Sequence, residues 1–193
     1  MKGLAFLGAG TIAAITAALI ATGSSQPAIA ENLKVPPPAV VEKASGHREV
    51  AMLAGGCFWG VEGVYEHVNG VLDVTSGYAG GGPAKADYSS VSSGRTGKAE
   101  AVRIIFDPSK VSYAELLRIL FSVVADPTQV NRQGPDVGTQ YRTAIFPQSA
   151  SQARVARAYI AQLSKTHVFQ RPIATRSSRP AASRPPKPIT RTS

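Results

Sequence analysis

One cysteine, one tryptophan, two methionines and three histidines are all that this 193-residue chain has of those types. Each scarcity excludes something. A lone thiol, Cys57, cannot close an internal disulfide, so no disulfide framework holds the fold. A cysteine hydrolase needs an imidazole beside its thiol. Only His47, His67 and His167 are present, and none sits in a motif that supplies a base. Acidic residues are missing from 1–30 and from 171–193, whereas Lys2, Arg171, Arg176, Arg179, Arg184, Lys187 and Arg191 lie there. Removing those seven from the 21 basic residues leaves 14 against 12 acidic, so the middle of the chain carries about +2 of the formal +9. A nucleic-acid binder carries its charge on the folded domain. Here the excess sits at the ends, which argues against nucleic acid as a partner.

The ends read as separate pieces. Residues 1–30 have a positive start at Lys2, an uncharged apolar run from Gly3 to about Gly23, and a small-x-small site at Ala28-Ile29-Ala30. That is the pattern of a cleaved secretory signal peptide, with the periplasm as the bacterial destination. The competing reading is an uncleaved membrane anchor, which Gly, Ser and Thr within the run disfavour. Residues 31–48, with Val35-Pro36-Pro37-Pro38, read as a Pro-rich linker. Residues 176–193 are Arg, Pro and Ser with little that is apolar, and read as a disordered basic tail.

Between them lies one globular domain, expected over 49–175. Val50 to Ala54 is a short buried strand broken by Gly55-Gly56. From Cys57 to His67 the spacing of Phe58, Val61, Val64, Tyr65 and Val68 is helical. Gly77 to Pro83 is so rich in glycine that it reads as a loop. Glu100 to Phe106 alternates as a strand. Ser112 to Val124 is a helix with a capping box, Ser112 and Glu115. Asp126 to Gly138 is a loop, Gln140 to Phe146 a strand, and Ser149 to Thr166 an amphipathic helix. This order suggests a two-layer α/β or α+β domain.

Three segments carry chemistry. In Gly55-Gly56-Cys57-Phe58-Trp59-Gly60 the cysteine opens a helix, where unpaired N–H groups and the helix dipole favour thiolate. The two glycines leave the sulfur open to substrate, and Phe58 and Trp59 form an apolar wall beside it. An isolated cysteine is more often structural; these neighbours argue otherwise. Glu100 opens an apolar strand; a desolvated carboxyl there would have a raised pKa suited to general-acid work, but the residues alone favour a solvated end charge. Asn131 to Arg142 is dense in polar side chains, a wet loop or one wall of a pocket.

Gly-Cys-Phe-Trp-Gly, Gly-Tyr-Ala-Gly-Gly, Gly-x-Ala-Glu-Ala-Val and Asn-Arg-Gln-Gly-x-Asp-x-Gly-x-Gln-Tyr-Arg occur here in that order. Over Glu49 to Ile173 the chain therefore resembles peptide methionine sulfoxide reductases of the A type. The resemblance implies an α+β two-layer sandwich with a mixed sheet and a ferredoxin-like core, the cysteine at a helix N-terminus. It implies thiol-dependent reduction of methionine S-sulfoxide in peptides and proteins, with no metal or organic cofactor. Cys57 matches the nucleophile, Phe58 and Trp59 the aromatics that hold the substrate methyl, Tyr78, Glu100 and Tyr141 the groups around the sulfoxide oxygen, and Asp136 the carboxylate beside them. Attack leaves Cys57 as sulfenic acid. With no second cysteine, an external thiol must recycle it, a thioredoxin-like or glutaredoxin-like protein or glutathione. The implied protein is a monomer, free of the membrane once its signal is cleaved.

Three departures accompany the resemblance: Ala125 stands where the family has His, the recycling cysteine is missing, and the match stops after Ile173. A competing reading is thus a degraded, weakly active member. A family-like ending, Ala-Glu-Ala-Tyr-His-Gln-Asp-Phe, read one base later with suitable codons becomes Pro-Lys-Pro-Ile-Thr-Arg-Thr-Ser, which is Pro186 to Ser193. A frameshift origin for the tail predicts that the gene holds the family-like ending in the neighbouring frame. A neighbouring frame without that motif contradicts it.

Overall fold

The computed structural model describes residues 34–44, 46–81 and 87–178. The signal-peptide segment and the tail beyond Ser178 lie outside the described residues. The domain runs β1 Glu49–Ala54, α1 Phe58–Glu66, β2 Val71–Ala79, α2 Tyr88–Ser92, β3 Ala99–Phe106, α3 Tyr113–Ile119, β4 Arg132–Gln133, β5 Asp136–Val137, β6 Ala144–Ile145, α4 Ala150–Thr166 and β7 Arg176–Ser177. A π-helical turn, Leu120–Val124, prolongs α3, and a 3-10 turn covers Thr139–Tyr141.

Five strands form one sheet in the order β2-β3-β1-β6-β7. Neighbours among the first four pair antiparallel and β7 joins β6 in parallel, so the sheet is mixed. With α1 between β1 and β2 and α3 between β3 and β6, this is the expected α+β sandwich with a ferredoxin-like core. The two-residue period of the strands sorts the side chains. Ala51, Leu53, Val102, Ile104 and Phe106 join the main core with α1, α3 and α4. Met52, Ala54, Ala79, Ala99, Ala101 and Ala144 form a smaller cluster, on the opposite face by parity. Glu100 shares parity with Val102, Ile104 and Phe106, so β3 turns its carboxyl toward the helices.

The helices follow local rules. α1 buries Phe58, Val61 and Tyr65, one stripe at helical spacing,. The Tyr65 hydroxyl, which would be costly to bury alone, donates to Leu116 O at 2.9 Å,. Ser112 caps α3 by accepting from the Glu115 N–H at 3.0 Å, and Ser149 caps α4 by accepting from Gln152 at 3.1 Å,.

The loop expected over 126–138 holds the β4–β5 hairpin, and the structure departs from the expected boundaries in four further places. The glycine-rich stretch is a strand up to Ala79, because β3 supplies a full ladder from Gly77 to Ala79. The chain leaves it only at Gly80 and Gly81, both with positive φ. The strand expected over 140–146 shrinks to two residues, because the Arg142 guanidinium draws the carbonyls of Thr139, Lys98 and Gly97 around itself. The Pro-rich segment is no free linker over 34–44. Val35 is buried, and the carbonyls of Pro36 and Pro37, left exposed by a backbone poor in N–H groups, accept from Tyr159 and Gln162 of α4 at 2.7 and 2.9 Å,. Glu42 accepts from the Tyr113 N–H at the start of α3. Finally, the domain does not end at 175, since Arg176 and Ser177 pair with β6.

The β1–α1 crossing sets the position of Cys57. A Cβ on Gly55 would lie 2.8 Å from Val124, and one on Gly56, at φ +102°, would lie 2.8 Å from Gln133. The glycines thus admit neighbouring side chains and do not hold a path open for substrate. Gln133 is itself clamped, accepting from the Asp126 N–H at 3.0 Å and donating to Asp126 O and Thr143 Oγ1, both at 3.2 Å. Gly56→Ala combines an unfavourable φ with a blocked space and should lose about 1–3 kcal/mol in urea unfolding. Gly46→Ala, at φ +73° with nothing within 4 Å, is the matched control and should lose less.

Candidate functional site

Cys57 occupies the N-cap of α1, half-buried, and its carbonyl accepts the first-turn N–H groups of Gly60 and Val61 at 3.1 and 3.3 Å. The N–H of the next residue, Phe58, is not left to the sulfur. It donates to Glu100 Oε2 at 3.0 Å. One hydrogen bond therefore joins the first residue of α1 to the carboxyl that β3 turns inward.

Glu100 is only 3% exposed. Burial raises its pKa above the ordinary value, the Phe58 N–H pulls the other way, and the Asp136 charge raises it further. The fold thus overturns the solvated end charge that the residues alone favour, because β3 turns the carboxyl into the helix-facing layer. Across the β2–β3 ladder Glu100 faces Tyr78. Burial, then Glu100, push the Tyr78 hydroxyl up to about 12. That hydroxyl is sealed from solvent and has no hydrogen-bond partner among the described residues. Tyr141, at the end of the 3-10 turn, is raised by burial and then by Glu100, Asp136, Tyr88 and Cys57. Asp136, in the β4–β5 hairpin, is half-buried.

These mutual influences gather Cys57, Tyr78, Glu100, Asp136 and Tyr141 into one site. They also bring in a residue that the sequence reading missed. Tyr88 opens α2 and acts electrostatically on both Tyr78 and Tyr141. It is 49% exposed, so a diffusing substrate can reach it as it cannot reach the Tyr78 hydroxyl. The signal was Asp87, an N-cap whose carboxylate accepts from the Ser90 N–H at 2.9 Å and fixes the short helix that presents Tyr88,.

The aromatics divide in role. Phe58 is fully buried, tilted between Trp59 (centroids 5.5 Å apart) and Tyr78 (5.7 Å). Trp59 is 64% exposed and offers the open apolar ring. Ala125, 8% exposed, packs against the backbone of Gly55 and leaves no polar group there. Among the described residues no group of three or more His, Cys, Asp or Glu is arranged to hold a metal ion.

What this arrangement can do is protonate and polarise an oxygen beside a thiol. A buried carboxyl keeps its proton to higher pH than an exposed one. Tyrosine O–H groups donate to a developing oxyanion, and an apolar ring holds an alkyl group.

A family model described as peptide methionine sulfoxide reductase matches residues 49–182. Peptide methionine sulfoxide reductase MsrA 2 of Mesorhizobium japonicum is 53% identical over 134 residues, 69% of this chain and 69% of that protein. The Synechocystis protein of the same description is 56% identical over 127 residues, 66% of this chain but 59% of its own length. Methionine sulfoxide reductase A of Corynebacterium diphtheriae superposes with a TM-score of 0.59 at 33% identity, covering 77% of this chain and 73% of that one. Reduced Mxr1 of Saccharomyces cerevisiae gives 0.61 at 31% identity, covering 74% and 81%.

The raised pKa of Glu100 has a consequence for stability. A carboxyl whose folded pKa lies above its unfolded one stabilises the fold fully below the unfolded value, near 4.5, and that contribution is lost as pH rises through the folded value,. Glu100→Gln keeps an acceptor for the Phe58 N–H but cannot ionise. Urea unfolding across pH should show the variant gaining on the parent as pH rises above 4.5. A difference that does not change with pH contradicts the burial argument.

Proposed function

The chain belongs to the peptide methionine sulfoxide reductase family, type A, and from that membership we propose a one-cysteine cycle in which Cys57 and Glu100 share the chemical step. Reduction of methionine S-sulfoxide in peptides to methionine is the activity of this family. The observation that carries the assignment of roles is the Phe58 N–H to Glu100 hydrogen bond, which sets the buried acid beside the residue after the thiol.

A sulfoxide sulfur is a poor electrophile until its oxygen is protonated or held by strong donors. Glu100 supplies the proton, and Tyr141 and Tyr88 donate hydrogen bonds to the oxygen as charge develops. Tyr78, its hydroxyl sealed from solvent and its strand paired with β3 at Glu100, keeps Glu100 in its buried setting. Trp59 receives the methyl group, with Phe58 packed beneath. The Cys57 sulfur attacks the substrate sulfur, the oxygen passes to Cys57, and methionine leaves. Cys57 is then a sulfenic acid. A first thiol attacks it, releasing water and leaving a mixed disulfide. A second thiol frees Cys57 and departs as the disulfide. Net, one sulfoxide and two thiols become methionine, one disulfide and water.

The external thiol follows from the chain's single cysteine. Export to the periplasm is the proposed location, supported by Lys2, the apolar run and Ala28-Ile29-Ala30,. Among the described residues no helix is long and apolar enough to cross a membrane.

Turnover of an S-sulfoxide methionine peptide with excess dithiothreitol tests these roles. Cys57→Ser should abolish it. Glu100→Gln should slow it by roughly 10²–10⁴ with the fold retained, and Tyr88→Phe should cost more than Tyr78→Phe. An unchanged rate in Glu100→Gln removes Glu100 from the mechanism.

A further inference from the structure

Tyr88 stands on a helix that cannot hold itself. α2 has five residues, far fewer than an isolated helix needs for stability,. Its anchor in the core is Val91, which is buried. The carbonyls at its end require partners. Ser90 O accepts from the Ser93 hydroxyl at 2.6 Å, and Val91 O from the Gly94 N–H at 2.9 Å. Ser92 O and Gly94 O are met from another part of the chain. The first accepts from Gln140 Nε2 at 3.3 Å, the second from Thr139 Oγ1 at 2.8 Å.

Both donors belong to the 3-10 turn that ends in Tyr141. That turn is held without help from α2, because Arg142 binds the carbonyls of Gly97, Lys98 and Thr139. When the two links are cut, α2 is therefore the side that is released. Gln140 is buried, and its Oε1 has no partner among the described residues. Gly138, at φ +148°, makes room for it, since a Cβ there would collide with the amide. A buried acceptor without a donor costs stability, and an apolar side chain of equal length would fill the space without that cost. What the amide adds is its link to α2.

We propose that Gln140 and Thr139 are positioning residues for the sulfoxide step: they tie α2 to the turn of Tyr141 and so set the place of the Tyr88 hydroxyl beside it. This rests on the reading of Tyr88 and Tyr141 as the donors to the sulfoxide oxygen. One donor is carried by the turn, the other by the short helix, and two side-chain bonds join the carriers.

Single-turnover release of methionine by the reduced chain, without added thiol, reads the chemical step alone. Gln140→Met keeps the length of the side chain and removes its donor. Thr139→Val keeps the shape and removes the hydroxyl, and Thr139→Ser restores it. Gln140→Met and Thr139→Val should each slow the step by about fivefold, the scale of one lost hydrogen bond, with KM for the peptide unchanged in dithiothreitol turnover and Thr139→Ser near the parent. In the Tyr88→Phe background the same two changes should cost almost nothing more, because the hydroxyl they place is gone. A loss as large in that background as in the parent overturns the proposal, since the links then serve the fold or Tyr141. A parental rate in both Gln140→Met and Thr139→Val overturns it as well. Should Gln140→Met fail to fold, the Thr139 pair decides alone. A parental rate in Tyr88→Phe itself overturns Tyr88 as a donor, and the links with it, while leaving Cys57 and Glu100 in their roles.

Discussion

The bond between the Phe58 N–H and Glu100 is the constraint on which the site depends. Burying a carboxyl in the helix-facing layer of a sheet is unfavourable for its charged form, and a single backbone donor offsets only part of that. The carboxyl is therefore pushed toward its protonated form, in a fixed place,. The same bond fixes the start of α1, and with it the residue just before, Cys57. Cys57 and Glu100 come from elements distant in sequence, and this contact holds the residue after Cys57 one hydrogen-bond length from the carboxyl.

The surroundings serve that spacing. β1 and β3 are neighbouring antiparallel strands, so the end of β1 and the start of β3 meet at one edge of the domain. Gly55 and Gly56 let the chain turn from β1 into α1 against Val124 and Gln133 without a side chain in between. Gln133 is in turn held by Asp126 and Thr143, so the hairpin that carries Asp136 is locked to the turn that carries Cys57. On the opposite side Arg142 gathers the carbonyls of Gly97, Lys98 and Thr139, which holds Tyr141 next to the start of β3. These are polar clamps on loops, where apolar packing alone would leave the geometry loose.

Much of this was legible in the residue pattern. β1 is a short apolar run, α1, β3, α3 and α4 bury periodic apolar faces, and the α3 cap is at Ser112 as the pattern implies. β2 was partly hidden because it is an edge strand with a bulge near Leu72 and a glycine and polar residues in its second half, so its regularity comes from β3. Tyr88 was hidden because a five-residue helix has no period to detect. The burial of Glu100 was legible in principle, since it shares parity with Val102, Ile104 and Phe106. The pairing of β7 was not, because it depends on a two-residue strand returning to β6 from beyond the last helix.

The most direct test of Glu100 as proton donor is the rate of a single turnover as a function of pH. Reduced chain is mixed with one equivalent of S-sulfoxide peptide, without added thiol, and methionine release is followed. The account predicts a limb on which the rate falls as pH rises through the raised pKa of the Glu100 carboxyl, and the loss of that limb in Glu100→Gln. The same limb persisting in the variant would contradict it and assign the proton to another group.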